Sequence, residues 1–366
     1  MISPTLSNKT LNKIRKLFPI EPHGRLFLPI VINPRNLESF LTLFSNEITA
    51  SIPNYMVYSS FSKNQLITEA LLNNHIEFNM DFFGITSNPP IKNIVGTMII
   101  LPINLSLDLV KYALHQLSKL LNKSNSLLIL TSNKKQNEII INWLDDIQLD
   151  FSRAKSQENF LFVIPEFNSS TKIQSNFKDF IFSFKYMKDL TEFEFYSSSG
   201  VFSKDNIDDG TDFLIDKILN EELISENAEI IDYFAGIGVI GIILSRFVNL
   251  KRVHFIESDL ISLFLLKKNL KYNQSSNSIV HELDGLIKPD ISPKTIDFII
   301  ANPPTHIKKD DFKKFLQISK ILLRNQGKLM IVINNIIPYE RTLKEYFPNP
   351  SNIILFRRGN YKIIIS

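Results

Sequence analysis

The chain has 366 residues, 44% hydrophobic and 21% charged, with 41 basic and 37 acidic side chains and a formal net charge of +4. At roughly 150 residues per domain the length predicts two domains, and the near-ordinary apolar and charged fractions exclude wholesale disorder. No apolar run reaches the ~18 residues of a membrane span, the polar, lysine-dotted residues 1–18 lack the apolar region of a signal peptide, and the absence of cysteine removes disulfides, thiolate metal sites and cysteine nucleophiles. A cytoplasmic, soluble protein without membrane attachment is expected.

Only seven alanines and eleven glycines occur, in keeping with AT-rich coding, so each glycine is informative. Residues 93–101 predict a strand, 108–121 a helix, 126–131 a strand, 135–147 a helix, and 161–164 a further strand. This is an α/β texture in which no glycine-rich turn follows any strand. It reads as a second copy of an α/β fold with its ligand site missing. Residues 165–199 form the joint, with loop-like clusters at 168–171 and 197–200 around strand-like 177–184 and 192–196. The boundary falls near 185, giving domains 1–184 and 185–366.

The second half alternates strands and helices. Strands are predicted at 229–233, 252–256, 278–283, 295–300, 328–333, 352–356 and 361–365. Helices are predicted at 239–248, 260–272 and 311–324, with Gly327 as a left-handed C-cap of the last. Such alternation predicts a parallel, doubly wound sheet.

Three places carry chemistry. Asp232-Tyr-Phe-Ala-Gly236-Ile-Gly238-Val-Ile-Gly241 joins a strand to a helix. There glycines let the backbone turn tightly and approach a ligand beside the positive end of a helix. Asp232 at the strand end is placed to hydrogen-bond a polar ligand. Glu257 closes the next strand, near the ~20-residue offset at which an acid accepts ribose hydroxyls. To this point a dinucleotide site and an S-adenosylmethionine site remain equivalent. Asn302-Pro303-Pro304-Thr305-His306, at the end of the fourth strand, separates them. Two prolines stiffen the exit from the sheet, so the Asn302 amide and the Pro303 carbonyl stand in a fixed relation. An exocyclic amine can donate one hydrogen bond to each, which aims its lone pair at a sulfonium methyl. Catalysis then comes from positioning. Ser87-Asn88-Pro89-Pro90 in the first half is expected to be only a turn.

These residues resemble class I methyltransferases, specifically the RsmC/RlmG-type ribosomal RNA guanine-N2 methyltransferases, from about residue 200 to 366. The resemblance runs through Gly200-Val-Phe-Ser203, Asp208-Asp-Gly210-Thr211, Asp232, Gly236, Gly238 and Glu257. It continues through Asn302-Pro-Pro-Thr-His306, Gly327-Lys-Leu-Met-Ile-Val-Ile-Asn334, Pro338-Tyr339 and Tyr361-Lys-Ile-Ile364. It implies two α/β domains, a C-terminal Rossmann-like methyltransferase sheet and a degenerate methyltransferase-like N-terminal domain. It also implies S-adenosyl-L-methionine as cofactor, bound by Asp232, Gly236, Gly238, Glu257, Asp284 and Asn302, and catalysis by Asn302, Pro303 and Pro304. Phe202, Thr305 and His306 would meet the base. Two departures stand out. The aromatic that normally follows Asn-Pro-Pro is Thr305, leaving Phe202 as the stacking candidate, and the first loop glycine is Phe234.

The resemblance implies methylation of a guanine N2 in small-subunit ribosomal RNA by a monomer needing no metal, with RNA or the small subunit as partner. A large-subunit guanine, or a non-catalytic RNA-binding assembly role, remain the alternatives. Basic runs at 308–324 and 341–362, each of net charge +4, flank the site and are placed to grip phosphates. The six histidines show no metal spacing with acids, and neither a G-x-S-x-G elbow nor a Walker loop occurs.

Overall fold

Apolar runs rich in Ile, Leu, Val and Phe without polar alternation suit strands covered on both faces, and the chain uses them to build two seven-stranded sheets. The computed structural model describes residues 5–18, 25–53, 55–61, 63–80, 94–103, 105–120, 125–146, 148–167, 180–305, 307–347 and 354–366. Two units separate, Met1–Ile181 and Phe182–Ser366.

In chain order the first unit contains α1(Asn8–Leu17), β1(Arg25–Leu28), α2(Pro34–Leu43), β2(Glu47–Ile52), α3(Tyr55–Phe61), α4(Gln65–Leu72) and β3(Ile76–Met80). There follow β4(Ile94–Ile100), α5(Leu107–Leu120), β5(Asn125–Thr131), α6(Lys134–Asp146), β6(Ser152–Ser156) and β7(Asn159–Phe167). Its sheet runs β3-β2-β1-β4-β5-β7-β6, parallel as far as β5, after which β7 enters antiparallel and pairs with β6. Leu26, Ile48, Met98 and Leu128 meet Phe40, Phe61 and Ile67 in its core. The elements before residue 93 carry no strong sequence signal, since β1 spans four residues.

The second unit opens with a hairpin, β8(Ile181–Lys188) and β9(Thr191–Ser198). It continues through α7(Asp209–Asn220), β10(Glu229–Tyr233), α8(Val239–Phe247), β11(Arg252–Glu257), α9(Leu260–Tyr272), β12(Ser278–Glu282) and β13(Ile296–Ala301). The last elements are α10(Lys309–Leu322), β14(Leu323–Asn334), α11(Glu340–Tyr346), β15(Ile354–Arg358) and β16(Tyr361–Ile365). The order β12-β11-β10-β13-β14-β16-β15 repeats that of the first sheet strand for strand. Consecutive strands step outward from β10 in one direction to β12, then in the other to β14. The reversal lies between β10 and β13, where open α/β sheets hold their ligands.

Two expectations are corrected. The strand expected at 177–184 is Ile181–Lys188, and 168–179 lies outside the described residues, as do the turn 88–90 and His306. Gly327 is no C-cap: α10 ends at Leu322 and Gly327 lies inside β14 without a positive φ. A Cβ there would stand 2.8 Å from the Ile296 carbonyl oxygen and 3.0 Å from that of Asp297. The glycine permits close strand approach, not a left-handed turn.

Candidate active site

The end of β10 and the turn into α8 are built from a buried acid and two left-handed glycines. Asp232 is 1% exposed. Its Oδ2 accepts from the Gly241 amide at 2.9 Å, pinning the first turn of α8, whereas its buried Oδ1 has no partner among the described residues. Asp232 therefore supports the loop from beneath, and burial, with the nearby Glu257 charge, pushes its carboxyl up to about 8. Gly236 has φ +56° with nothing within 4 Å of the missing Cβ, and Gly238 has φ +89° at the N-cap of α8. Phe234 also adopts a left-handed φ of +60°, which costs an L-residue about 1–2 kcal/mol. Its ring is held at 5.0 Å from Tyr233 and 5.2 Å from Phe315.

Glu257 reaches across from β11. Its Oε2 accepts from Gly236 N at 2.8 Å, and Oε1 accepts from Ser258 N at 2.7 Å and Asp259 N at 2.8 Å. Burial pushes this carboxyl up to about 7 despite the three donors. Asp284, in the turn after β12, is 6% exposed and folds back onto Leu286 N at 2.9 Å. Its neighbour Gly285 packs on the Phe234 ring and receives the Tyr233 hydroxyl on its carbonyl at 2.5 Å, so this turn lies against the loop that follows β10.

After β13 the chain leaves through Asn302-Pro303-Pro304. Asn302 Nδ2 donates to Asp208 Oδ2 at 3.0 Å and to Thr211 Oγ1 at 2.9 Å, and Ile307 N returns to the Pro304 carbonyl at 2.9 Å. Tyr339 closes the turn from the far side: its hydroxyl donates to Ile307 O at 2.9 Å, and its ring stacks on Phe312 at 4.0 Å. Pro304 and Thr305 are exposed. Phe202, 69% exposed, sits on the loop leading to Asp208.

The structure thus brings Asp232, Gly236, Gly238, Glu257, Asp284, Asn302, Pro303 and Pro304 to one end of the sheet. Three participants have weak signals in the sequence. Asp208 and Thr211 were visible only as part of a motif. Asn269, fully buried in α9, donates to Ile237 O at 3.0 Å and Tyr196 O at 3.1 Å and accepts from Tyr196 N. An asparagine amid the leucines of α9 was its one available sign.

The equivalent positions in the first unit are apolar. Leu28 pairs with Ala50 as Asp232 pairs with Phe255, and Val31 N bonds Ser51 O as Ala235 N bonds Ile256 O. Continuing those registers puts Leu28, Ile52 and Ile100 where Asp232, Glu257 and Asn302 stand; they are 1%, 0% and 7% exposed.

Two of the histidines, His254 and His281, meet through their ring nitrogens. His254 Nδ1 lies 2.9 Å from His281 Nε2, and His254 Nε2 lies 3.0 Å from Glu229 Oε1. Among the described residues no group of His, Cys, Asp or Glu could hold a metal ion, and no helix is long and apolar enough to cross a membrane.

The residues fit a nucleoside-bearing cofactor. Open space beside Gly236, a carboxylate at the end of β11 and the unpartnered Asp232 Oδ1 beneath the loop form a polar cradle at the reversal point. The family model for the methyltransferase small domain matches residues 192–364. The ribosomal RNA small subunit methyltransferase C of Haemophilus influenzae (strain PittGG) is 30% identical over 178 residues, 48% of this chain and 51% of that protein. The uncharacterized protein YbxB of Bacillus subtilis (strain 168) is 31% identical over 142 residues, 39% of this chain and 69% of that one. The chain spans about half the length of the methyltransferase C relatives it matches. Among solved structures, the T. thermophilus 16S rRNA N2 G1207 methyltransferase (RsmC) in complex with AdoMet and guanosine superposes with a TM-score of 0.73 at 17% identity. That match covers 100% of this chain and 93% of that one, so both units share its fold.

Proposed function

We propose that this chain, which belongs to the methyltransferase small-domain family of the RsmC/RlmG type, transfers a methyl group from S-adenosylmethionine to the exocyclic N2 of a guanine in small-subunit ribosomal RNA. The observation that carries the reading is Asn302: both amide protons are taken by Asp208 and Thr211, which leaves its oxygen free to serve, together with the carbonyl of the next residue, Pro303, as an acceptor for an amine. When bound, S-adenosylmethionine supplies an electrophilic methyl on a sulfonium. Glu257 would accept ribose hydroxyls, the 236–238 turn would lie along the amino-acid portion, and the turn at Asp284 and Gly285 would meet the base. Asn302 Oδ1 and Pro303 O would hold the two protons of the acceptor amine, directing its lone pair and restricting its rotation. Gains of this positional kind reach several kcal/mol.

Lys308, Lys309, Lys314 and Lys320 are exposed on α10, which starts beside the Asn302 turn, and are suited to phosphate contacts that fix register. The second basic run is partly committed inside the protein. Arg358 pairs with Asp212 and Asp216, and the buried Lys362 pairs with Glu340. The first unit, lacking the polar triad, would present RNA and bind no cofactor. Thr305 favours a second reading, in which the chain binds RNA without modifying it, because no aromatic follows Pro304 to stack on a base.

The test is transfer of labelled methyl to isolated small subunits, large subunits and naked ribosomal RNA, with nucleoside analysis of the product. N2-methylguanine in small-subunit RNA that disappears in Asn302→Ala is expected. Label in large-subunit RNA alone would move the substrate, and no label in any RNA would favour the second reading.

A further inference from the structure

The Asn302 amide has two orientations related by a half-turn of its terminal bond. Oxygen and nitrogen are nearly the same size, so apolar packing cannot choose between them; hydrogen bonds must. The choice matters, because an amine is a donor. Presented with the amide oxygen it is held, whereas presented with the NH2 it is repelled.

Two groups make the choice. Asp208 is the N-cap of α7, its Oδ2 accepting from Gly210 N and Thr211 N at 3.1 Å each. The same oxygen accepts Asn302 Nδ2 at 3.0 Å, and Oδ1 is held by the Tyr361 hydroxyl at 3.1 Å. Gripped from α7 and from β16, this carboxylate cannot rotate away. Thr211, 8% exposed in the first turn of α7, offers Oγ1 to the second amide proton at 2.9 Å. Capping requires neither the Asn302 contact nor the Tyr361 contact, and the threonine hydroxyl caps nothing. These are surplus to the stability of α7 and converge on one side chain 94 and 91 residues along the chain.

We propose that Asp208 and Thr211 are positioning residues for methyl transfer, holding both protons of the Asn302 amide so that its oxygen is presented to the acceptor amine. This rests on the methyltransferase reading above. The motif that carries them therefore acts on the chemistry through Asn302. With one acceptor removed the other still biases the amide. With both removed the two orientations become nearly equal in energy, and the site is correct only part of the time and poorly ordered.

The experiment compares the full-length chain with Asp208→Ala, Thr211→Val, the double variant, and the conservative Asp208→Asn and Thr211→Ser. Asparagine at 208 keeps an oxygen facing Gly210, Thr211 and Asn302 and turns its NH2 to the Tyr361 oxygen, which can accept. The expected result is a single-turnover rate about a hundredfold lower in the double variant, smaller losses in each single variant, S-adenosylmethionine affinity unchanged, and recovery with asparagine or serine. A folded double variant at the wild-type rate would overturn the proposal, as would a loss of rate that tracks loss of cofactor affinity. A second readout needs no activity. In 15N spectra of the cofactor-free protein, the Asn302 side-chain protons should exchange slowly with solvent, and that protection should vanish in the double variant. Rapid exchange in the wild type refutes the amide lock even if the chain methylates RNA. Slow exchange in a chain that methylates nothing sinks the methyltransferase reading and leaves the lock as a structural fact.

Discussion

Glu257→Gln isolates the ribose-binding role, and the structure fixes its size. The carboxylate uses both oxygens: two backbone donors on Oε1 and Gly236 N on Oε2. Glutamine has one oxygen. The paired donors Ser258 N and Asp259 N keep it on their side, so the new NH2 faces the Gly236 N–H, donor against donor. Leaving that amide unsatisfied costs about 1–3 kcal/mol and loosens the cofactor turn. Losing a charge-assisted acceptor for a hydroxyl costs about 1.5–3 kcal/mol of binding, a dissociation constant higher by roughly ten- to a hundredfold. The pH dependence supplies a second signature. Burial pushes Glu257 up to about 7, and hydroxyl donors favour the ionised form, so binding brings this pKa back down. Wild-type affinity should be level above about pH 7 and weaken as pH falls below it, by up to about tenfold per unit. With glutamine the group at 257 no longer titrates, and the fall below pH 7 should flatten, since the other buried carboxyl of the loop, Asp232, lies higher, at about 8. Calorimetry with S-adenosylmethionine across that range reads both effects. A level wild-type profile together with a Gln variant binding within about threefold of wild type would refute the assignment.

Calorimetry on the whole chain should give one cofactor per chain, since Leu28, Ile52 and Ile100 offer the first unit no acceptors; a stoichiometry of two would refute this. Gly327→Ala should destabilise the second unit by about 1–3 kcal/mol, because the backbone oxygens of Ile296 and Asp297 cannot retreat without parting β13 from β14. Urea denaturation tests it, and a loss below about half a kcal/mol would contradict the geometry. Thr305→Phe should tighten guanosine-containing RNA by about 1–3 kcal/mol through stacking, read by fluorescence anisotropy; unchanged affinity would place the base elsewhere.

The parts of the site legible in the sequence are those set by local backbone needs. Gly236 and Gly238 turn left-handed beside a strand end, Glu257 closes the next strand, and Asn302 precedes two prolines. What the sequence could not show is contact made by the sheet. Asp208 and Asn302 meet only because α7 packs against α8, β14 and β16 and so brings its N-terminus to the residue that follows β13, and no spacing rule encodes that. Asp232 stands out by its strand-end place, but that one of its oxygens holds Gly241 N while the other is left without a partner among the described residues is read only from the folded turn. Gly327 misled because Asn-Gln-Gly after a helix is equally the signature of a C-cap and of a strand entry with close neighbours. The first ninety residues were silent because short strands such as β1 leave too little periodicity to read.

The strand order also sets a timetable. β16 lies between β14 and β15, yet it follows every other element of its unit in the chain. During synthesis the sheet must wait with a gap beside β14 until β16 emerges, and β16 enters as the second strand of a hairpin with β15. Tyr361, which steadies Asp208, arrives with it. Until β16 is paired, the Asp208 carboxylate lacks its grip from that side of the sheet, so the setting of the Asn302 amide is complete only when the gap beside β14 has been filled.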